Sequence, residues 1–202
     1  ADPIYWNRFS GELIKCESGL IADKLISIRT FAFMKLPIIA YGDPVLRKKA
    51  SDITLDYTDL NTLIANMYET MYAAHGVGLA APQIGLSIRL FVIDAQPFAE
   101  DEAGLEDFKK VFINAQILEE SGEKWSFNEG CLSIPDVRED IQRQETIRIA
   151  FMDEKGQHHE ETYSGMAARV IQHEYDHIEG KLFTDKLSPL RKTMLKSKLD
   201  SI

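Results

Sequence analysis

Residues 172–177 read Gln-His-Glu-Tyr-Asp-His, so two histidines stand four positions apart with a glutamate after the first. On a helix, residues four apart project from the same face about one turn from each other. Both imidazoles could then bind one metal ion, and the Glu174 carboxylate could reach a water molecule on that ion. The alternative is that His173 and His177 are ordinary polar residues on a solvated helix face. The spacing favours a catalytic metal site.

A metal site on this helix needs at least one further protein ligand. A histidine six residues beyond the second one is excluded, because Phe183 stands there. Upstream, residues 129–135 read Glu-Gly-Cys-Leu-Ser-Ile-Pro. A cysteine taken alone is more often a small buried residue than a ligand. Cys131, however, follows Gly130, which lets the backbone approach closely, and Pro135 is expected to end the segment. Cys131 is therefore a good third ligand.

A third segment, residues 76–85, reads Gly-Val-Gly-Leu-Ala-Ala-Pro-Gln-Ile-Gly. Its small residues suit a close-packed turn after a helix. A phosphate-binding loop fits poorly, because no Gly-Lys-Ser/Thr follows. The functional hypothesis is a floor of small residues that presents one polar side chain, Gln83, to a cleft.

Together and in this order, the three segments resemble peptide deformylase, whose motifs are G-x-G-L-A-A-x-Q, E-G-C-L-S and Q-H-E-x-D-H-L-x-G. Residues 76–83 and 129–133 match without departure, and residues 172–180 differ only in having Ile178 in place of leucine. The resemblance covers residues 34–202. It implies a hydrolase that removes the N-formyl group from the N-terminal formylmethionine of nascent proteins.

The resemblance implies that Cys131, His173 and His177 bind the metal ion, and three protein ligands leave a position open for water. Family members commonly use Fe²⁺, and Zn²⁺, Ni²⁺ or Co²⁺ can occupy the same ligands. Hydroxide activated by the metal would attack the formyl carbon, with Glu174 as the general base and then the general acid.

The resemblance also implies two donors for the oxyanion of the tetrahedral intermediate, the Gln83 side-chain amide and the Leu132 backbone N–H. Asp176 is expected to be structural or to orient a ligand histidine. The methionine side chain needs an apolar pocket, and the formyl group needs small neighbours. The residues expected to contact substrate are Val77, Gly78, Gly130, Met166 and Val170.

Apolar residues at helical spacing predict a helix over residues 56–74, capped by Asp56 or Thr58. The stripe consists of Leu60, Leu63, Ile64, Met67 and Met71. Strand-like runs occupy residues 88–93, 111–118 and 146–152, with a return strand at 159–163. The acid-rich residues 96–109 are predicted to form a surface loop.

A second helix is predicted from about residue 165 to 179, ending before Gly180, and it carries both histidines. A last helix follows Ser188-Pro189. Helices and strands do not strictly alternate, which indicates an α+β fold. We expect mostly antiparallel sheets around a central metal-binding helix, with a C-terminal helix.

The length of 202 residues fits one globular domain. Residues 34–202 are predicted to be the catalytic domain, and residues 1–33 an N-terminal extension that catalysis does not need. The acids of this extension argue against an organellar transit peptide. Its apolar run at residues 20–28 is expected to cover apolar surface.

The formal net charge of −9 argues against nucleic-acid binding through bulk electrostatics, and no sequence-specific binding is expected. No apolar run is long enough to span a membrane, and we expect no secretory signal. Cys16 and Cys131 are the only cysteines. These features predict a cytoplasmic protein. Residues 188–202 carry four cations and one acid. They form either a solvated helix or a cationic contact to the ribosome.

Two other classes remain open. A zinc endopeptidase would take a carboxylate ligand from Asp185 or a later residue and leave Cys131 inert. A structural Cys-His-His zinc site would close with a fourth protein ligand, yet neither His75 nor Cys16 stands at an obvious ligand spacing.

Overall fold

A five-stranded antiparallel sheet is the frame of the described structure, a computed structural model that describes residues 34–202. The predicted extension, with its apolar run at residues 20–28, lies outside the described residues. The strand order follows the chain. The strands are β1 (Gly78–Ala80), β2 (Leu90–Asp94), β3 (Lys109–Cys131), β4 (Ile134–Met152) and β5 (His158–Ser164).

The centre of the sheet is a long hairpin formed by β3 and β4, which pair along almost their whole length. The runs predicted at residues 111–118 and 146–152 are only its outer ends. Most of β3 beyond Leu118 is polar because that half of the strand is largely exposed, so it lacks an apolar pattern. The prediction that Pro135 ends its segment is wrong, since Pro135 is the second residue of β4.

Strand β2 is buried at all five positions because helices cover both faces of the sheet. On one face, Leu90 and Val92 pack in the cluster that contains the apolar stripe of α1 (Leu60–Ala73). On the other face, Phe91 and Ile93 pack in the cluster that contains the apolar residues of α2 (Gly165–Ile178). The expected α+β fold, with a central helix against an antiparallel sheet, is confirmed.

Helix α1 begins later than predicted. Its N-cap is Asp59, which has a left-handed φ of 55° and makes no side-chain capping hydrogen bond. The predicted caps Asp56 and Thr58 are therefore wrong. The apolar stripe is confirmed, because Leu60, Ile64, Met67 and Met71 are buried and Leu63 is half-buried.

The later helices follow the predicted boundaries. Helix α2 ends before Gly180, and the Lys181 N–H donates to the Asp176 carbonyl at 2.8 Å, as at many helix C-termini. Helix α3 (Pro189–Leu199) is capped by the Ser188 hydroxyl, which accepts from the Arg191 N–H. In residues 34–202 no helix combines the length and apolar character needed to cross a bilayer.

Candidate active site

Cys131, His173 and His177 meet where the β3–β4 hairpin turns beside α2. One ligand atom from each lies within 4.8 Å of the others. The Cys131 Sγ is 3.3 Å from His177 Nε2. Cys131 is the last residue of β3, and the histidines lie one turn apart on α2. The helical spacing and the hairpin thus bring together the three residues predicted as ligands.

The ring of His173 is held by Glu129, a residue to which the sequence motif assigned no role. His173 Nδ1 lies 3.0 Å from Glu129 Oε2. An Nδ1–H donated to this carboxylate leaves the Nε2 lone pair free for a metal ion. Burial alone would lower the pKa of His173, but hydrogen bonds with Cys131 and Glu129 raise it to about 10. The Cys131 and Glu129 groups beside His173 therefore favour positive charge on this ring.

Glu129 is in turn fixed by a buried arginine, Arg143 on β4. The guanidinium donates Nε–H to Glu129 Oε1 at 2.7 Å and Nη2–H to Oε2 at 2.9 Å. Burial opposes ionisation of Glu129, but hydrogen bonds from His173 and Arg143 hold the pKa of Glu129 well below its ordinary value. Buried charges are tolerated when they are paired and hydrogen-bonded, as Glu129 and Arg143 are here.

Asp176 does not orient a ligand histidine directly. Its Oδ2 accepts from Arg143 Nη1 at 2.7 Å and lies 3.2 Å from Lys186 Nζ. Of the two roles predicted for Asp176, these contacts favour the structural one over direct orientation of a ligand histidine. Two residues, Arg143 and Glu129, stand between Asp176 and His173.

Glu174 is a buried carboxylate beside this cluster, with 4% of its surface exposed. Its Oε2 has no hydrogen-bond partner among the described residues. Gly78 lies against it, and a Cβ at position 78 would be 2.8 Å from both Cγ and Cδ of Glu174. The first motif therefore needs glycine there. Burial raises the pKa of Glu174 to about 7.

The side-chain amide of Gln83 faces the Cys131 thiol. The side chain is 1% exposed, and its Oε1 accepts from the Ala80 N–H at 2.8 Å. This bond fixes the amide so that Nε2 lies 3.5 Å from Cys131 Sγ. Leu132 is the first of the two residues that turn the hairpin. The two predicted oxyanion donors thus flank Cys131.

The predicted pocket residues share one apolar cluster on the α2 side of the sheet. Met166 and Val170 are buried in it, and Val77 is half-buried against it. Gly78 belongs to the edge strand β1, and Gly130 precedes Cys131 at the end of β3. Four of the five predicted substrate contacts lie on β1, β3 and α2, and Val77 directly precedes β1.

Two carboxylates that follow the second histidine, Glu179 and Asp185, the latter considered as an alternative ligand, are engaged elsewhere. Asp185 accepts from Arg47 at 2.6 Å and from the Leu182 N–H at 2.9 Å. Glu179 pairs with Arg89 at 2.6 Å. Within residues 34–202, no other group of three His, Cys, Asp or Glu side chains converges closely enough to bind an ion. These contacts disfavour the endopeptidase hypothesis.

An antiparallel sheet packed on a helix, with a thiol, two imidazoles and a buried carboxylate at one point, is an arrangement typical of metal-dependent hydrolases. Residues 35–193 match the sequence model of the family described as Polypeptide deformylase. A peptide deformylase of Christiangramia forsetii is 64% identical over 176 residues, covering 84% of this chain and 90% of that protein. A peptide deformylase of Flavobacterium psychrophilum is 60% identical over 176 residues, covering 84% of this chain and 91% of that protein.

Solved structures are similar over the same part of the chain. The crystal structure of a peptide deformylase from Legionella pneumophila has a TM-score of 0.72 and 42% identity. The match covers 83% of this chain and 95% of the Legionella pneumophila chain. The Thermotoga maritima peptide deformylase has a TM-score of 0.69 and 42% identity. This match covers 77% of the present chain and 99% of the Thermotoga maritima chain. The chain belongs to the peptide deformylase family, enzymes that remove the N-formyl group from nascent proteins.

Proposed function

We propose that this chain removes the formyl group from the N-terminal formylmethionine of nascent proteins, in the cytoplasm, with Cys131, His173 and His177 as the metal ligands. The observation that carries the proposal is the buried Glu174 oxygen beside those three residues, which has no hydrogen-bond partner within residues 34–202. A buried carboxylate without a partner costs stability, and such groups are typical of functional sites.

The donor set suits a transition-metal ion. One thiolate and two imidazoles favour borderline ions such as Fe²⁺, Zn²⁺, Ni²⁺ or Co²⁺ over Mg²⁺ or Ca²⁺, which prefer oxygen ligands. We propose Fe²⁺ in the cell. When bound, the ion would supply Lewis-acid activation of water and of the formyl carbonyl. Cys131 would bind it through Sγ, and His173 through Nε2, because its Nδ1 faces Glu129.

Glu174 would carry the proton. It takes a proton from the attacking water and delivers it to the departing amine nitrogen. Burial raises the pKa of Glu174 to about 7, while a cation on the neighbouring ligands favours its ionised form. The carboxylate is thus poised both to accept and to release a proton near neutral pH.

Gln83 and Leu132 would stabilise the oxyanion. The Gln83 amide is held by its bond to Ala80, so its Nε2–H needs little reorganisation during the reaction. A donor of this kind contributes about 2.7–4 kcal/mol to transition-state stabilisation. The Leu132 N–H would be the second donor.

The substrate would lie between β1 and the end of β3. Strand β1 is at the edge of the sheet, so the backbone around Gly78 can pair with an extended peptide. Gly130 would lie on the other side of the peptide. The methionine side chain would enter the apolar cluster that contains Val77, Met166 and Val170.

The proposal is tested by purifying the full chain without oxygen in the presence of Fe²⁺ and measuring hydrolysis of a formyl-Met-Ala-Ser peptide. We expect turnover of the formyl peptide and none of the matched acetyl peptide, because small residues surround the carbonyl. Cleavage of internal peptide bonds instead would favour the endopeptidase hypothesis.

Helix α3 is the proposed contact to the ribosome, the source of nascent chains. Two apolar side chains on it, Leu190 and Met194, are 73% and 63% exposed. Its cations also contact oxygen atoms of this chain, and each pairing leaves the charge near the surface. The pairs are Arg191 with Glu139, Lys192 with Asp185, Lys196 with Asp200 and Lys198 with Asp136.

Replacing Lys192 and Lys196 by glutamine is expected to weaken salt-sensitive cosedimentation with ribosomes. The slope of log affinity against log salt should fall by about two, one for each lost phosphate contact. Deletion of the helix is a poorer test, because Leu199 is buried in the core. Turnover of short formyl-Met peptides should not change. Unchanged cosedimentation would leave α3 as ordinary solvated surface.

A further inference from the structure

The acidic loop, residues 95–108 between β2 and β3, begins beside one wall of the proposed methionine pocket and contacts another. Directly before the loop, the N–H of Asp94, the last residue of β2, donates to the Val77 carbonyl at 2.9 Å. In its middle, a Glu102 carboxylate oxygen accepts from the Met166 N–H at 2.9 Å. Val77 and Met166 are two of the three residues proposed to bind the methionine side chain.

The contact at Glu102 is a close one. Gly165, the first residue of α2, has a φ of 59°, and a Cβ there would lie 2.5 Å from both Glu102 carboxylate oxygens. The backbone at position 165 thus makes room for the carboxylate. The Met166 N–H is one of the helix amides without a partner inside α2, and the helix dipole favours a negative charge there.

The loop also contributes apolar side chains to the pocket region. Leu105 and Phe108 are 4% and 9% exposed and belong to the same buried cluster as Met166 and Val170. The loop sequence has five acids and no cation between residues 99 and 107. Repulsion among these acids opposes close packing of the loop, and the bond from the Met166 N–H to Glu102 adds a polar contact to the apolar ones that hold the loop against α2.

We propose that Glu102 is a positioning residue, a latch that holds the acidic loop against α2 and thereby fixes the walls of the methionine pocket. The inference rests on the proposed function, since it concerns the substrate side chain of that same site. Glu102 lies at the first turn of α2 and does not act on the formyl group. Its loss should therefore change how well the methionine side chain binds and leave the chemical step intact.

The test compares Glu102→Ala and Glu102→Gln with Glu100→Gln, an exposed acid of the same loop. For Glu102→Ala we expect KM for a formyl-Met peptide to rise roughly five- to tenfold, with kcat within about twofold of wild type. KM for a formyl-Ala peptide should change less than about twofold, because a methyl side chain does not reach the pocket walls. Glu102→Gln keeps an acceptor oxygen and should lie in between, and Glu100→Gln should match wild type.

Hydrogen exchange at the Met166 amide reports the latch itself, without substrate. Faster exchange in Glu102→Ala together with a lower preference for formyl-Met over formyl-Ala would support the proposal. Faster exchange with an unchanged preference would overturn it and leave Glu102 as a helix cap. Unchanged exchange would also overturn it. If the wild-type protein does not hydrolyse either formyl peptide, the proposed function fails at that step, independently of Glu102.

Discussion

Replacing Glu174 by glutamine is expected to lower kcat for formyl-Met peptides by about 10²–10⁴-fold while the metal content stays unchanged. The substitution keeps the shape of a side chain that is buried against Gly78 and removes only its ability to carry a proton. None of the three proposed ligands is touched. The measurements are steady-state kinetics and metal analysis on the same preparation.

The matched control is Glu123→Gln, the same change on an exposed residue of β3. It should leave kcat, KM and metal content at wild-type values. The role assigned to Glu174 would be wrong if its glutamine variant retained near-normal turnover. Loss of the metal from that variant would instead indicate that Glu174 supports the ligands.

The convergence of the two histidines could be predicted because it depends only on local geometry. On any helix, a spacing of four residues places His173 and His177 on the same face, whatever the rest of the fold. Helix α2 itself was predictable from its apolar face and from Gly180 at its end. The same holds for α3, where Ser188-Pro189 marks the start.

The network behind His173 could not be predicted, because it depends on strand pairing. Glu129 and Arg143 are fourteen residues apart in sequence, and the pairing of β3 with β4 brings both to the face that packs on α2. In β4, Glu139 and Arg143 point inward at alternating positions that an apolar pattern would assign to Val or Ile. Because charged residues occupy these buried positions, the alternation of buried and exposed residues in β4 does not show as an alternation of apolar and polar residue types. The one available signal was the acid two residues before Cys131.

The start of α1 was missed for a related reason. Asp56 and Thr58 are good capping residues, yet the turn at residues 54–57 uses the Asp56 carboxylate to accept from the Thr54 hydroxyl. The chain then enters the helix through the left-handed Asp59. Capping preference is a weak local signal that a preceding turn can override.

Replacing Cys131 by alanine is expected to lower metal affinity by more than about 100-fold. Changes to groups that merely orient a ligand already cost about 10–100-fold, and this change removes a ligand atom itself. The Sγ lies 3.3 Å from His177 Nε2 and 3.5 Å from Gln83 Nε2, so its loss leaves a gap at the centre of the site. The measurements are metal per chain after dialysis and competition with a chelator of known affinity.

Cys16→Ala is the control, because it removes the only other cysteine, which stands at no ligand spacing, and it should retain a full metal complement. Loading with Co²⁺ adds a spectroscopic test, since the absorption band of a thiolate–cobalt bond should be present in wild type and Cys16→Ala and absent in Cys131→Ala.

Cys131→Asp separates the two enzyme hypotheses further. A carboxylate at position 131 can still bind an ion, but as a harder donor that changes affinity and preferred metal. If Cys131→Ala instead kept both its metal and its activity, Cys131 would not be the third ligand, and the endopeptidase hypothesis would assign that position to Asp185 or a later carboxylate. Asp185 would then have to leave Arg47 and the Leu182 N–H, the two partners that hold it away from the histidines.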